Sequence, residues 1–585
     1  MQQALVRFLA SIGALVVLLV VFLVLASALG GSAGVPDRVL LELDLTQPVI
    51  ESAPTDSFSQ LVAGRVITLR GAASAIERAA KDERVVGMVA RVGTGPKGLA
   101  TIEELREALA VFSESGKPMV AYAEQFDYGS SGTANYYLAS AFDRLYLQPL
   151  GTLGFSGLGG DVMFLRGAFD KLGVVPQMDR REEYKSAKNT YTEKQLSPQD
   201  EEALGRMLES QLEAIVTAVA KDRELSPDAL RKLADKGLFS SQAALEAKLV
   251  DGVAYRAQVY DELKEKLGET ERLSLDVYAT RTAPSRGREP VVAVIYGVGG
   301  VSSGESQADP FFGASMGSDT VAQAFRDAVE DEDVRAIVFR VNSPGGSAVA
   351  SQVIWEETRR ARAAGKPVIV TMGDLAASGG YYVAMAADKI VAHPSTLTGS
   401  IGVYSGKLVT REAWGKLGIT YDGVRTSTNS HQWSELHDFT PEQWQALQGV
   451  LDDVYDQFTR GVAEGRGLPI DKVREVAKGR VWTGADAMPR GLVDELGGFP
   501  TAIRLAREAA DLGKDEEVWL EEFPRPRSVL DTLIARMTGV SEASASEQAL
   551  HRMLRLAESV EPLADVLREL DAGQDPIQMR APLLR

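Results

Sequence analysis

Ser378 stands immediately before Gly379 and Gly380, after a small-residue stretch that follows the β-branched run Val368 to Thr371. A Ser on a tight turn between strand and helix presents its hydroxyl with little crowding, and the next amide can point at a developing oxyanion. Gly373 reads as the end of that strand. The spacing is not Gly-x-Ser-x-Gly, so a small-residue helix start packed closely against a strand is the plain alternative. A Ser is a weak nucleophile until a base takes its proton. The chain has no Cys and only four His, which are His393, His431, His437 and His551. His393 precedes Pro394 at a strand end, His431 and His437 flank a polar loop, and His551 lies in the tail. Each reads as an ordinary surface or loop residue rather than a base. No His or carboxylate cluster has metal-ligand spacing. Gly297-Val298-Gly299-Gly300 reads as a turn rather than a nucleotide loop, so no cofactor is expected.

The elements that must position Ser378 come from an internal repeat. Val85-Val86-Gly87-Met88-Val89-Ala90-Arg91-Val92 matches Val334-Arg335-Ala336-Ile337-Val338-Phe339-Arg340-Val341, and Gly116-Lys117-Pro118 matches Gly365-Lys366-Pro367, both at an offset of 249. Tyr136-Tyr137, Asp143, Pro149 and Gly154 match Tyr381-Tyr382, Asp388, Pro394 and Gly399 at 245. Ser197-Pro198 matches Thr440-Pro441, and Val250-Asp251 matches Val493-Asp494, at 243. Landmarks this ordered describe a tandem duplication, with halves at 38–275 and 289–510. Each half alternates strands with helices and ends in a helical arm, which predicts parallel sheets with crossover helices. Near-continuously apolar strands fit sheets covered on both faces. The arms begin at Ser197 and Thr440, each followed by Pro, a good helix start.

The halves differ in chemistry. Thr133, or Gly129 at the other offset, stands where the second half has Ser378, and neither precedes Gly-Gly. Asn342-Ser343-Pro344-Gly345-Gly346 aligns with Gly93-Thr94-Gly95-Pro96-Lys97, and Ser400 with Phe155. Conversely, Lys185 in Tyr184-Lys185-Ser186-Ala187 aligns among Thr428, Asn429 and Ser430. A lone Lys is ordinarily a solvated surface charge. A duplicated site that diverged could instead keep its nucleophile in one half and its base in the other. Free Lys has a pKa of about 10.4, so roughly one in 2500 is neutral at pH 7. Burial lowers that value by several units. The expectation is that Lys185 is desolvated between the halves and hydrogen-bonded to Ser378. Ser400 would orient its amine, and the Gly379 amide with Gly345 or Gly346 would form an oxyanion hole. Ser-Lys pairs are a known variant of triad chemistry.

The chain of 585 residues carries a net charge of −18, which argues against nucleic acid as a general partner. Arg7 precedes 22 uncharged residues, Phe8 to Leu29. That length spans a bilayer core and exceeds a usual signal-peptide apolar region, so a retained transmembrane anchor over 8–29 is expected, with its N-terminus cytoplasmic. Ala26-Ser27-Ala28 is the alternative, a cleavage site. The tail, 511–585, is expected to be helical near 529–537 and 548–570, after a Pro524-Arg525-Pro526-Arg527 linker.

Taken together, Asn342 to Gly346, Gly373-Asp374 with Ala377 to Tyr381, Pro394 to Gly402 and Tyr184 to Ala187 resemble the signal peptide peptidase A (protease IV) family, peptidase family S49, in its long duplicated form. The likeness covers roughly 8–510. It implies an α/β protein of tandem ClpP/crotonase-like domains with helical arms. It also implies a membrane-anchored serine endopeptidase of the bacterial inner membrane, facing the periplasm and cutting signal peptide remnants. In that family's terms Ser378 is the nucleophile, Lys185 the general base, Ser400 the residue that orients it and Gly379 an oxyanion amide. The implied partners are peptide substrates, membrane lipid through the N-terminal helix, and further copies of the chain in a homotetramer. One departure is local: Lys188-Asn189-Thr190-Tyr191 replaces the family's usual acidic residue and Pro after the Lys motif. Two rivals compete. A crotonase-like acyl-CoA enzyme also holds an oxyanion with Gly amides, and a catalytically inactive membrane scaffold would need neither Ser378 nor Lys185.

Overall fold

The structure is a computed structural model that describes residues 34–52, 67–95, 97–309, 313–513 and 516–525. The expected anchor over 8–29 and the tail helices lie outside the described residues. Among the described residues, no helix is long and apolar enough to cross a membrane.

Each half is built on one sheet. The first has six strands in the order Gly252–Val253, Arg144–Leu147, Met119–Ala123, Val85–Arg91, Val39–Asp44 and Glu271–Ser274, all parallel. In the second, Val368–Ala377, Val334–Ser343, Val291–Val298 and Trp519–Phe523 run side by side in parallel. Leu397–Gly399 extends it from Val368–Ala377, and Val481–Thr483 closes that edge antiparallel. The sheet therefore reaches Phe523, past the boundary of 510 read from the sequence. Trp519–Phe523 occupies the edge that Glu271–Ser274 occupies in the first half, and its two consecutive Glu break the apolar run that marks the other strands of the sheet.

Gly373 does not end its strand. Val368–Ala377 runs through it, changing partner from Lys389–Ala392 to Leu397–Gly399 and shifting register against Val334–Ser343. A Cβ on Gly373 would fall 2.7 Å from Glu51 Oε1 and 2.9 Å from Asn342 Cγ, so a close approach, not a break, requires glycine there.

Helices form where apolar spacing and caps agree. Leu69–Lys81 buries Leu69, Ala72, Ala73, Ile76, Ala79 and Ala80 on one stripe, and Thr68 caps it by accepting the Gly71 amide. The arms Pro198–Asp222 and Pro441–Arg466 both start with Pro behind a capping box, Ser197 with Asp200 and Thr440 with Gln443. The two cores centre on Leu41, Met88, Phe112 and Tyr136, and on Ile295, Phe325, Phe339 and Tyr381. Burial of each such side chain contributes roughly 1.5–3 kcal/mol.

The halves are locked together by buried charge. Arg340, fully buried, makes two bonds to Glu51 at 2.9 and 3.0 Å and one ion pair to Glu104 at 2.9 Å. Asp374 accepts from the Thr101 amide at 3.0 Å and hydroxyl at 2.7 Å, at the start of helix Leu99–Glu114 of the other half. Ser395 donates to Glu103, from its amide at 3.1 Å and its hydroxyl at 2.7 Å. His393 belongs to this cluster, 3.6 Å from Glu104 and 1% exposed, which corrects its reading as a surface or loop residue. Although desolvation opposes the charged forms, Arg340 and His393 hold Glu104 down to about 2, and Glu104 draws His393 above its ordinary value.

Candidate active site

A strand of the first half crosses onto the second. Val175–Arg180 pairs antiparallel with Tyr404–Val409, Val175 opposite Val409 and Arg180 opposite Tyr404. Beyond the pair, Arg181 N donates to Val403 O at 2.9 Å and Tyr184 N to Lys478 O at 3.0 Å. Lys185 therefore arrives in the second half although it belongs to the first, and it is only 4% exposed.

Its amine ends in a small polar pocket. Lys185 Nζ lies 2.9 Å from Ser378 Oγ, 2.9 Å from Ser400 Oγ and 2.8 Å from the Ser400 carbonyl oxygen. Desolvation, with no carboxylate to oppose it, pushes the Lys185 amine from 10.5 down to about 7. Ser378 sits at φ 55°, ψ −118° at the mouth of helix Gly379–Ala384, and Ser400 at φ 50°. Positive φ is strained for Ser and is held here by surrounding bonds. Ser378 N donates to Gly399 O at 2.9 Å, and Ser400 N to Arg480 O at 2.7 Å.

The glycines converge on Ser378. A Cβ on Gly345 would fall 2.6 Å from the Gly379 nitrogen and 2.8 Å from Ser378 Cβ, and one on Gly379 would lie 3.0 Å from the Gly346 nitrogen. The Gly345 amide is committed, since it donates to Ser343 Oγ at 3.2 Å. Gly379 opens its helix, so its N–H has no carbonyl a turn behind it. The sequence had left Gly345 and Gly346 as alternatives. The Ser343 bond favours Gly346 as the second free amide.

Three residues that fix Lys185 carried no sequence signal. Arg180 Nη1 donates to the Lys185 carbonyl at 3.2 Å and to Asn189 Oδ1 at 3.3 Å. Gly479, at φ 76°, presses against the lysine so closely that a Cβ there would lie 2.5 Å from Lys185 N. Arg480 stacks its guanidinium 5.0 Å from the Tyr184 ring centre and 4.4 Å from that of Trp482, and pairs with Glu202. Gly479 was one of 55 glycines, and only its position against Lys185 sets it apart. In the first half the equivalent place is closed: Thr133 is fully buried and its Oγ1 accepts the Ser156 amide at 3.1 Å.

The model of peptidase family S49 matches residues 111–269 and 360–513, one stretch in each half. The chain belongs to peptidase family S49. It is a serine peptidase by that membership. Protease 4 of Salmonella typhi is 35% identical over 497 residues, 82% of this chain and 78% of that protein. A chloroplastic serine protease SPPA of Arabidopsis thaliana is 30% identical over 514 residues, 86% of this chain and 74% of that protein. Among solved structures, a ClpP1 mutant from Listeria monocytogenes is similar at 12% identity and a TM-score of 0.23, covering 36% of this chain and 94% of that one. Each S49 stretch lies mostly within one half and begins after the first two strands of its sheet, at 111 and at 360.

Proposed function

We propose that this S49 peptidase is a membrane-anchored serine endopeptidase that degrades signal peptide remnants with a Ser378–Lys185 dyad. The observation that carries the reading is the 2.9 Å contact between Lys185 Nζ and Ser378 Oγ in a buried pocket where no carboxylate of the described residues acts on the amine. A neutral amine has two hydrogens and one lone pair. The Ser400 carbonyl and hydroxyl oxygens take the hydrogens, which leaves the lone pair for the Ser378 proton. Ser378 Oγ then attacks the scissile carbonyl carbon while its proton moves to Nζ. The tetrahedral oxyanion is met by the Gly379 and Gly346 amides. Its collapse breaks the C–N bond, Lys185 returns the proton to the leaving amine, and an acyl-Ser378 ester remains. Water, deprotonated by the same amine, hydrolyses the ester.

The remaining features belong to the same proposal. Residues 8–29 anchor the chain in the inner membrane, with the catalytic halves in the periplasm. Four copies assemble. The substrate class is supported by relatives such as a putative signal peptide peptidase SppA of Enterococcus faecium, 35% identical over 168 residues. The test is hydrolysis of a fluorogenic peptide with small and apolar residues before the scissile bond. Ser378→Ala and Lys185→Arg are expected to abolish turnover, because Arg stays protonated. Full activity in Lys185→Arg would refute the dyad.

A further inference from the structure

The strand pair that delivers Lys185 has an unused twin. The 245-residue offset continues through this region. Helix Arg166–Leu172 ends at Gly173 with φ 77°, and helix Arg411–Lys416 is followed by Gly418, also at φ 77°. Lys171-Leu172-Gly173-Val174 matches Lys416-Leu417-Gly418-Ile419. By that offset, strand Tyr404–Val409 corresponds to Gly159–Phe164, and strand Val175–Arg180 to Thr420–Arg425. The first members of these correspondences pair with each other inside the chain. The second members are irregular, and neither lies in a strand.

Both segments are largely exposed, although Gly159 bonds Ser130 through its amide and carbonyl and Tyr421 meets the Trp414 ring edge-on at 6.2 Å. Met163 is 65% exposed, Tyr421 50% and Val424 97%. Within one chain the two segments cannot meet, because each half already uses its complementary strand on the other. A second copy can supply what is missing: its Thr420–Arg425 on this chain's Gly159–Phe164.

We propose that Gly159–Phe164 of one chain and Thr420–Arg425 of the next form an antiparallel pair that joins copies head to tail. It gives the assembly proposed above its contact and is independent of the dyad. The register follows from the pair inside the chain, where paired residue numbers sum to 584. Mapped by the offset, Gly159 faces Arg425, Asp161 faces Gly423, Val162 faces Asp422 and Met163 faces Tyr421, and these pairs sum to 584 as well. Met163 and Tyr421 then cover each other as an apolar cross-strand pair, and exposed Asp161 lies diagonal to exposed Arg425 on one face. The contact joins different surfaces of identical chains, so it is heterologous, and a rotation that closes makes a ring. The junction between chains would set Thr133 opposite the segment with Asn429, where neither nucleophile nor base is present. Only the junction inside each chain is catalytic.

The chain has no cysteine, which makes disulfide mapping direct. Full-length protein in mild detergent carries Val162→Cys and Asp422→Cys together and is oxidised. Directly opposed residues lie about 4.5–5.5 Å apart at Cα, within disulfide reach. The expected result is a reducible ladder of cross-linked multimers. Val162→Cys with Gly423→Cys, one residue out of register and on the opposite face, should give about tenfold less. Lys407→Cys with Gln177→Cys, the equivalent pair inside the chain, should bridge without a change of mass. Mixing the two single variants, each on an irregular segment, repeats the test if the double variant folds poorly. Equal yields in and out of register, or a monomeric mass by light scattering, would overturn the proposal. Loss of peptidase activity would not bear on it.

Discussion

At the scale of single residues, Lys185 sets two pH dependences that run in the same direction over different ranges. In the proposed dyad catalysis uses the neutral amine, so kcat/KM should rise as pH passes through about 7 and level off above it, as read from initial rates across pH 5–9. Stability also improves with pH, but over a wider range. A lysine whose folded pKa lies below its unfolded value of about 10.4 binds fewer protons folded than unfolded. Its contribution is therefore unfavourable below about 7 and fades as pH climbs towards 10.5. Lys185→Met removes that burden, so its melting temperature relative to the parent should improve as pH falls from 9 to 6. A relative melting temperature that is flat with pH would show that Lys185 is charged in the folded state. Ser378→Ala should lower turnover by about three orders of magnitude or more while leaving the fold intact. The sequence singled out Ser378, Lys185 and Ser400 through what each half lacked, and the structure brings their side chains together. It could not disclose His393, whose burial depends on Glu103, Glu104 and Glu107 of the other half.

Between elements, the catalytic geometry depends on contacts that no linear pattern announces. The arms and caps were legible because Ser-Pro and Thr-Pro starts are local signals. Strand Val368–Ala377 was misread at Gly373 because a glycine required by Glu51 and Asn342 looks, in sequence, like a glycine that ends a strand. Trp519–Phe523 is hard to read from sequence because it is short and its two consecutive Glu interrupt both an apolar run and an alternation. Gly479 illustrates the rest. Gly479→Ala would meet both a strained backbone and the Lys185 nitrogen. It should cost about 1–3 kcal/mol of stability and reduce kcat at least tenfold, with KM little changed. Arg180→Ala should act in the same direction through the Lys185 carbonyl. Unchanged kcat in both would mean that Lys185 finds its place without them.

For the whole molecule, the cost of joining two halves shows in the Arg340 cluster. Arg340→Met would take the guanidinium from buried Glu51 and leave Glu104 with His393 alone, and loss of one partner of such a pair costs about 3–5 kcal/mol. Urea unfolding should then show the midpoint falling, with separate transitions for the halves where the parent shows one. The duplication also dictates timing. Lys185 is made early, but the parts that desolvate and aim it, Ser400, Gly479 and Arg480, are made much later. At roughly 5–20 residues per second, the stretch from 185 to 480 takes on the order of 15–60 s to synthesise. Through that interval the lysine is an ordinary hydrated cation and Ser378, once made, has no base. On the proposed dyad, a nascent chain is thus harmless to its neighbours and to itself until its second half has folded.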